Sequence, residues 1–521
     1  MGRLGARAAD AMFWNLIGKF TLMILRFLES VVLVRLLGDQ GYGAFSQAVN
    51  LNGIVVLLAA LGLENAILRF LPATVMTHGA SGERKLIGKM IALRLAASGI
   101  AVLALWQLAP FLAERLLHDA ARADLIKLVG VLLLAMGLDN LLARVLVAHY
   151  EQRYINLIQA ALTAAYLALA SLTVWLGGGI GGVLWCLIAM HAATAAFWAW
   201  RWRRSEAPAM GNQAATAPPP TSLWRLLTFS GYTYVYNFLQ FVFQKGMDVM
   251  LLGVLLDDLS PITWYVIAYN FVFYSVSFYS LAFSEGFSLA MISEVAAQGD
   301  REKLRRIFTV SVEYLYLFIL PICVGGTLVG PDILRLLYPA GTAAGAIAPM
   351  LVLLYGLSFA KMSGITANFL LGLDREKTIV RLRLVFGLLN LVLDLLLIPW
   401  LHAVGPAVAT SLSLAASTIY EWRITHRMIQ PSYPKRFLLK ILIASLGMGG
   451  VIFFAGRSFA GVLYWRVPAL LLVGFVSFVA FLLVLRPFRK EHTDLIDTLP
   501  LPGKSVWLPL LMERTPSRKA V

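Results

Sequence analysis

The sequence predicts an all-α polytopic membrane protein with about fourteen transmembrane helices. Of its 521 residues, 59% are hydrophobic and only 14% are charged. A soluble protein of this size could not bury so much apolar side chain. Fourteen apolar segments match or exceed the roughly 17–25 residues that a bilayer core requires. Because lipid offers no partner for a backbone N–H or C=O, each segment is expected to be helical.

The apolar segments differ in how many charges they carry. Some are nearly free of charge, and others hold one or two charged residues. In chain order they are 12–37, 45–63, 91–110, 125–148, 155–176, 180–200, 226–256, 262–289, 307–329, 347–370, 384–400, 407–424, 437–454 and 467–485.

The distribution of Lys and Arg predicts the orientation. If the N-terminus is cytoplasmic, 32 of the 44 basic residues fall in cytoplasmic segments. Five fall on the opposite side: Arg115, Arg122, Arg335, Arg457 and Arg466. Cytoplasmic loops carry an excess of Lys and Arg, so both termini are predicted to be cytoplasmic. The same residues explain the net charge of +16, which favours contact with anionic lipids and not nucleic acid.

The chain divides at a linker rich in Pro and Ala. Residues 1–200 are predicted to form an N-lobe of six spans, and residues 201–224 a cytoplasmic linker. Residues 225–430 form a C-lobe of six spans, 431–486 two further spans, and 487–521 a cytoplasmic tail. Related motifs at the end of the first span of each lobe, LLG at 36–38 and at 251–253, indicate two pseudo-symmetric parallel repeats.

A hairpin near the end of the C-lobe supports this architecture. Residues 390–413 read NLVLDLLLIPWLHAVGPAVATSLS. We expect an apolar helix to end at Ile398-Pro399, a turn to contain Gly405-Pro406, and a second apolar helix to follow. Helices joined by so few residues are antiparallel neighbours, and apolar faces all round require lipid around them.

Several motifs, taken in order, carry a family resemblance. They are RLLGDQGYGAFSQAVN (35–50), LGLENAILRFLP (61–72), LRLLYPAGTAAGAIAPMLVLLYG (334–356) and LLGLDREK (370–377). The chain through residue 486 resembles the O-antigen and exopolysaccharide flippases of the multidrug/oligosaccharidyl-lipid/polysaccharide exporter superfamily. The resemblance implies two six-helix lobes around a central cavity, with two extra C-terminal helices.

The resemblance also implies a function. A member would move an undecaprenyl-pyrophosphate-linked oligosaccharide from the cytoplasmic to the periplasmic leaflet of the bacterial inner membrane. Its expected protein partners are the polymerase and chain-length proteins of the same pathway. Two alternatives stay open: an ion-coupled exporter of drugs or peptidoglycan precursors, and a membrane-embedded glycosyltransferase or polymerase. No P-loop, HEXXH or GXSXG motif is present, so no enzyme, cofactor or metal site is predicted.

Charged residues inside spans are costly and usually face a cavity or a partner. Two polar stripes, on the first and seventh spans, are expected to line the central cavity. In these stripes Lys19, Arg26 and Lys245 would attract a pyrophosphate or acidic sugars, unless Arg26 pairs with Glu29 and Lys245 with Asp248. Further substrate-binding candidates are Arg94, Lys361, Tyr232, Tyr236 and Tyr269. Arg94 could instead pair with Asp139 of the next span.

Acidic residues in the spans are candidates for coupling transport to H⁺ or Na⁺. A carboxylate inside a membrane protein either binds a cation or pairs with Lys and Arg of a neighbouring helix. The candidates are Asp139, Asp248, Glu285, Glu313 and Asp394. Glu421 is the weakest acidic residue because it lies near Arg423 and the cytoplasmic surface. The seven histidines are scattered and have no ligand-like neighbour in sequence.

Overall fold

A computed structural model confirms the all-helical polytopic class. It describes residues 3–204, 245–283, 289–373, 375–458 and 463–488. Their helices are α1 (Arg3–Ala60), α2 (Leu63–Leu117), α3 (Ala123–Ala148), α4 (Gln152–Trp175), α5 (Gly179–Arg204), α6 (Lys245–Leu255), α7 (Ser260–Phe283), α8 (Leu289–Ala297), α9 (Arg301–Leu337), α10 (Ala340–Gly372), α11 (Glu376–Leu401), α12 (Val404–Ile429), α13 (Lys435–Ser458) and α14 (Leu463–Leu485).

Each predicted span coincides with helix wherever its residues are described, except at Leu61-Gly62, Leu176 and Leu256, which lie near span ends and outside the helices. Within that part of the chain, nine helices are long and apolar enough to cross a membrane. Large apolar side chains remain exposed along them, such as Val484 at 79% and Phe475 at 68%. Such surfaces need lipid around them. Trp175, Trp400 and Trp465 are also exposed, at span ends predicted to be periplasmic, where Trp anchors membrane proteins at the interface.

Two glycines break the long N-terminal helices. Gly38, with a φ of 69°, separates the first two predicted spans within α1. Gly79, with a φ of 60°, turns the chain within α2. Glycine adopts this left-handed backbone without steric cost, which allows a turn with almost no loop. The second span was predicted to end at residue 63; a turn at Leu61-Gly62 interrupts the helix there, and α2 begins at Leu63 and runs on to Gly79.

The C-terminal hairpin is tighter than the sequence predicted. α11 continues through Pro399 to Leu401, and α12 begins at Val404. Gly405 and Pro406 therefore lie in the first turn of α12 and not in the loop. A Cβ at Gly405 would come within 2.8 Å of the Ile398 backbone nitrogen, so this glycine allows the two helices to approach closely. Proline fits a first helical turn because its missing N–H has no intrahelical acceptor there.

The chain forms two compact units. The first contains Met1–Ile267 and Leu391–Pro406, and the second contains Ala268–Asn390 and Ala407–Val521. The first unit holds α1–α6 with parts of α7, α11 and α12. The second holds α8–α10, α13 and α14 with the remaining parts of those three helices. The lobe boundaries at residues 200, 225 and 430 stay predictions.

Candidate functional site

The second unit contains an apolar cavity of about 580 Å³. α9, α13 and α14 form most of its wall, with contributions from α7 and α10. Ser275 is the only described lining residue whose side chain carries an oxygen or nitrogen atom. Gly325, Gly326 and Gly474 keep parts of the wall free of side chains. This volume and composition suit a hydrocarbon chain.

A lysine and two aromatic rings lie together elsewhere in the second unit. The Lys361 Nζ donates to the Ser277 Oγ at 3.1 Å and lies 5.4 Å from the centre of the Phe273 ring. The Tyr269 ring stacks on Phe273 with a centroid distance of 5.9 Å and an interplanar angle of 14°. The structure thus brings together two predicted site residues, Lys361 and Tyr269. Phe273, which is 41% exposed, contacts both of them and was not among the site residues predicted from the sequence.

Two predicted ion-coupling residues meet in the first unit. Asp248 of α6 and Asp394 of α11 are almost fully buried, and their carboxyl groups lie within hydrogen-bonding reach of each other. A hydrogen bond between two carboxyl groups needs one proton, because two carboxylates have no donor. The Tyr265 hydroxyl also donates to Asp248. This arrangement can hold one proton between two acids, or expose two carboxylates to a metal cation when the proton leaves.

A third predicted carboxylate has a histidine partner. The His191 Nδ1 lies 2.7 Å from the Asp139 Oδ2, and the Trp198 Nε1 donates to the other oxygen at 2.6 Å. Asp139 is therefore not the partner of Arg94. His191 has no acidic neighbour in sequence, and it meets Asp139 only because α3 packs beside its own helix, α5.

Arg94 is buried with an incomplete set of partners. Its guanidinium Nη2 lies 3.9 Å from the Glu64 Oε1. None of its three nitrogen atoms makes a hydrogen bond to the part of the chain that the structure describes. A buried guanidinium is retained only at a high desolvation cost. Glu64, which lies beside this guanidinium, was not among the site residues predicted from the sequence.

Arg26 forms the ion pair that was considered as an alternative to substrate binding. Its Nη1 donates to the Glu29 Oε2 at 3.0 Å, and the Tyr166 hydroxyl donates to the Glu29 Oε1 at 3.0 Å. The Arg26 side chain remains 42% exposed, so part of the guanidinium is still accessible. Lys19 lies two turns earlier on α1 and is exposed.

The other predicted substrate-binding and ion-coupling residues lie apart from these contacts or outside the described residues. Glu313 is buried on α9. Tyr232, Tyr236 and Glu285 lie outside the described residues, and Lys245 begins α6 with a side chain that is not described.

Glu421, which was expected to be the weakest acidic candidate, is fully buried. Its carboxylate accepts hydrogen bonds from the Ser363 hydroxyl at 2.6 Å and the Thr366 hydroxyl at 3.0 Å. It also lies 3.8 Å from the Arg383 guanidinium.

Polar contacts join three loops of the first unit at its predicted periplasmic end. The Asp39 backbone oxygen accepts from Thr263 at 2.6 Å, and its carboxylate accepts from the Trp264 indole at 2.9 Å. Gln40 donates to Asp258, and the His118 Nε2 lies 2.8 Å from the Gly253 oxygen. These contacts tie the turn between the first two spans to Asp258 and to the start of α7, and they tie the residue after α2, His118, to α6.

The comparisons with known proteins define the class. The fold resembles that of the lipid II flippase MurJ in an inward closed conformation, with a TM-score of 0.70 over 92% of this chain and 99% of that chain, at 15% identity. It also resembles a multidrug resistance MATE family transporter of the MOP superfamily in an inward-facing conformation. That TM-score is 0.63 over 78% of this chain and 94% of that chain, at 12% identity. This chain therefore shares its fold with both of these transporters.

The family follows from the sequence model that matches. Residues 8–285 match the model for polysaccharide biosynthesis proteins, and the chain belongs to this family. Residues 264–477 match the model for the lipid II flippase MurJ. A curated relative, the probable flippase AglR of Haloferax volcanii (strain DS2), is 24% identical over 246 residues. That match covers 46% of this chain and only about half, 50%, of the relative.

Proposed function

We propose that this protein is a flippase that moves a polyprenyl-pyrophosphate-linked oligosaccharide across the bacterial inner membrane by alternating access. The observation that carries this proposal is the apolar cavity of about 580 Å³ in the second unit. A transporter of water-soluble sugars needs no such cavity, whereas a lipid-linked sugar must bring its hydrocarbon chain with it. Membership of the polysaccharide biosynthesis family supports the same substrate class.

Separate residues would bind the polar part of this substrate. Lys361, beside the stacked rings of Tyr269 and Phe273, offers a cation for phosphate and aromatic faces for sugar rings. Arg26 keeps an accessible guanidinium on α1 despite its pair with Glu29. The same proposal includes a cytoplasmic location for both termini and contacts with a polymerase and chain-length proteins.

The buried pair Asp248–Asp394 would couple transport to an ion gradient. When the pair holds a proton, its net charge is one unit less negative than when both groups are ionised. A difference of one buried charge is large enough to bias two conformations of the surrounding helices. H⁺ or Na⁺ would therefore bind here. The pair is 1% and 0% exposed, so it does not favour the alternative of a glycosyltransferase with catalytic carboxylates at the membrane surface.

Filling the cavity tests the proposed function. In proteoliposomes containing a fluorescent polyprenyl-pyrophosphate oligosaccharide, the wild-type protein should transfer the label between leaflets. Gly325→Leu should slow transfer at least about tenfold, because the new side chain projects into the cavity, where a Cβ would lie 3.8 Å from the Met448 Cε. Gly450→Leu is the matched control, since a Cβ there meets nothing within 4 Å and Gly450 does not line the cavity.

The choice of substrate decides between the related functions. Transfer of lipid II in preference to the oligosaccharide lipid would favour the peptidoglycan-precursor exporter, which the partial match to the MurJ model also suggests. Transfer of a cationic drug and of neither lipid would favour a drug exporter. Equal transfer by the wild type and by Gly325→Leu would show that the cavity does not carry the lipid chain.

A further inference from the structure

Basic residues are scarce on the predicted periplasmic side, and three of the five lie in one place. Arg335 is in the last turn of α9, Arg457 is in the last turn of α13, and Arg466 is in the first turn of α14. The positive-inside tendency disfavours cations here, so a cluster of them needs a partner.

Asp332 binds two of the three arginines, and Arg457 lies next to them, because a Cβ at the preceding residue, Gly456, would be 3.7 Å from the Arg466 Nη2. The Asp332 Oδ1 lies 3.2 Å from the Arg335 Nη1, and its Oδ2 lies 3.3 Å from the Arg466 Nη2. The Arg457 guanidinium stacks on Phe453 at 4.4 Å from the ring centre. Three arginines and one aspartate leave a net charge of two positive. The two arginines bound to Asp332 are 58% and 33% exposed, so both can still reach a ligand.

The same helix ends form one end of the apolar cavity. Ile333 follows Asp332 directly and lines the cavity. Leu470 lies one turn after Arg466 and lines it too. Along α9 the wall runs from Leu317 to Ile333, which corresponds to about 24 Å of helix. The second unit thus contains an elongated apolar cavity with a cationic cluster at one end.

We infer that this cationic end is a binding subsite for the phosphate groups of a polyprenyl pyrophosphate, with the chain in the cavity. The inference deepens the proposed function and rests on it. A pyrophosphate carries more than one negative charge and matches a net charge of two positive, whereas a phosphodiester lipid carries only one. Arginine also binds phosphate oxygens through two parallel N–H groups. At this end the subsite would hold the lipid after translocation, before it leaves the protein.

Lipid binding to the purified full-length protein tests the subsite. Native mass spectrometry would measure binding of undecaprenyl pyrophosphate and, separately, of phosphatidylglycerol. Arg335→Gln with Arg466→Gln should weaken undecaprenyl pyrophosphate binding at least about tenfold, since each hydrogen bond to a charged group contributes measurably. Phosphatidylglycerol binding should change less than twofold. The matched control removes the other two periplasmic arginines, Arg115→Gln with Arg122→Gln, and should leave both lipids unaffected.

A second variant distinguishes a loss of lipid binding from misfolding. Removing both arginines leaves the Asp332 carboxylate, which is 6% exposed, without its cations. Asp332→Asn added to the two arginine changes removes that unpaired charge and should preserve the melting temperature, while binding stays weak.

Two outcomes would overturn the subsite alone: undecaprenyl pyrophosphate binding that is unchanged in the triple variant, or phosphatidylglycerol binding that falls as much as pyrophosphate binding. No binding of any polyprenyl lipid by the wild-type protein would instead refute the proposed function.

Discussion

Asp248 and Asp394 bring their carboxyl groups within hydrogen-bonding reach of each other in the interior of the first unit, although they come from helices α6 and α11, which are far apart in the sequence. The pair is almost completely shielded from solvent. Replacing one acid with its amide keeps the hydrogen bond and removes the need for a proton. The pair can therefore be fixed in its protonated form by a single substitution.

Asp394→Asn should uncouple transport from an imposed ion gradient. We expect wild-type proteoliposomes to respond to a pH gradient or a sodium gradient, and the variant to respond to neither, because it cannot release the shared proton. Initial rates of lipid transfer under each gradient measure the effect. Asp124→Asn, on an exposed carboxylate of α3, is the control and should behave as wild type. Gradient dependence that survives Asp394→Asn would remove the pair from the coupling mechanism.

Lys361→Met should reduce transfer of a pyrophosphate-linked lipid at least about tenfold, while Lys361→Arg should retain much of the activity. Methionine keeps the length of the side chain and removes the charge that meets phosphate. Phe273→Leu should have a smaller effect, of about threefold to tenfold, because it removes only the aromatic face. Lys377→Met, on an exposed lysine of α11, serves as the control. Equal activity of the wild type and Lys361→Met would exclude Lys361 from the substrate site.

The membrane spans and the class of the protein could be predicted from sequence, because the hydropathy of one span depends only on residues that are neighbours in the chain. The partners of buried charges could not, because they depend on how separate helices rotate against each other. Glu421 was judged by its sequence neighbour Arg423, yet the cation near it is Arg383 of α11. In the same way, His191 lacked a partner in sequence and has Asp139 of α3 in the structure.

A buried carboxylate between the second and third spans predicts a pH-dependent contribution to stability. Burial opposes ionisation of Glu83, but hydrogen bonds from His149 and Trp202, at 2.8 Å each, outweigh it and lower the pKa of Glu83 below 4.5. Its contribution to stability is therefore fully present above about pH 4.5 and is lost as the pH falls through the lowered value.

Glu83→Gln should consequently lower the melting temperature by a few degrees at pH 7 and by less near pH 4. Thermal unfolding of the purified protein in detergent at both values measures the difference. Glu302→Gln, on an exposed residue at the start of α9, should show no such pH dependence. The interpretation fails if the Glu83 variant loses the same stability at both pH values.

A disulfide between the loops at the predicted periplasmic end should stop transport reversibly. Gln40 donates to Asp258 across two loops of the first unit, so a Gln40→Cys, Asp258→Cys pair would fix those loops together. Under alternating access they must separate to release substrate. Oxidation should reduce transfer to background and a reductant should restore it, with each single-cysteine variant as a control. Undiminished transfer by fully oxidised protein would show that these loops do not move apart.

Arg26→Ala should severely reduce transport and leave protein levels in the membrane nearly normal, whereas Arg26→Lys should retain part of the activity. A guanidinium offers two parallel N–H groups to a phosphate, and an ammonium offers a point charge. The Arg26–Glu29 distance of 3.0 Å makes a structural role the direct competitor.

The double change Arg26→Ala with Glu29→Gln separates these two roles, because it removes both charges and keeps a hydrogen-bond acceptor for the Tyr166 hydroxyl. If Arg26 binds substrate, the double variant stays inactive, since the cation is still missing. If Arg26 only neutralises Glu29, the double variant regains export, since no charge remains unpaired in the protein interior. Export of polysaccharide from cells, normalised to the amount of protein in the membrane, measures the outcome, and full recovery would remove Arg26 from the substrate site.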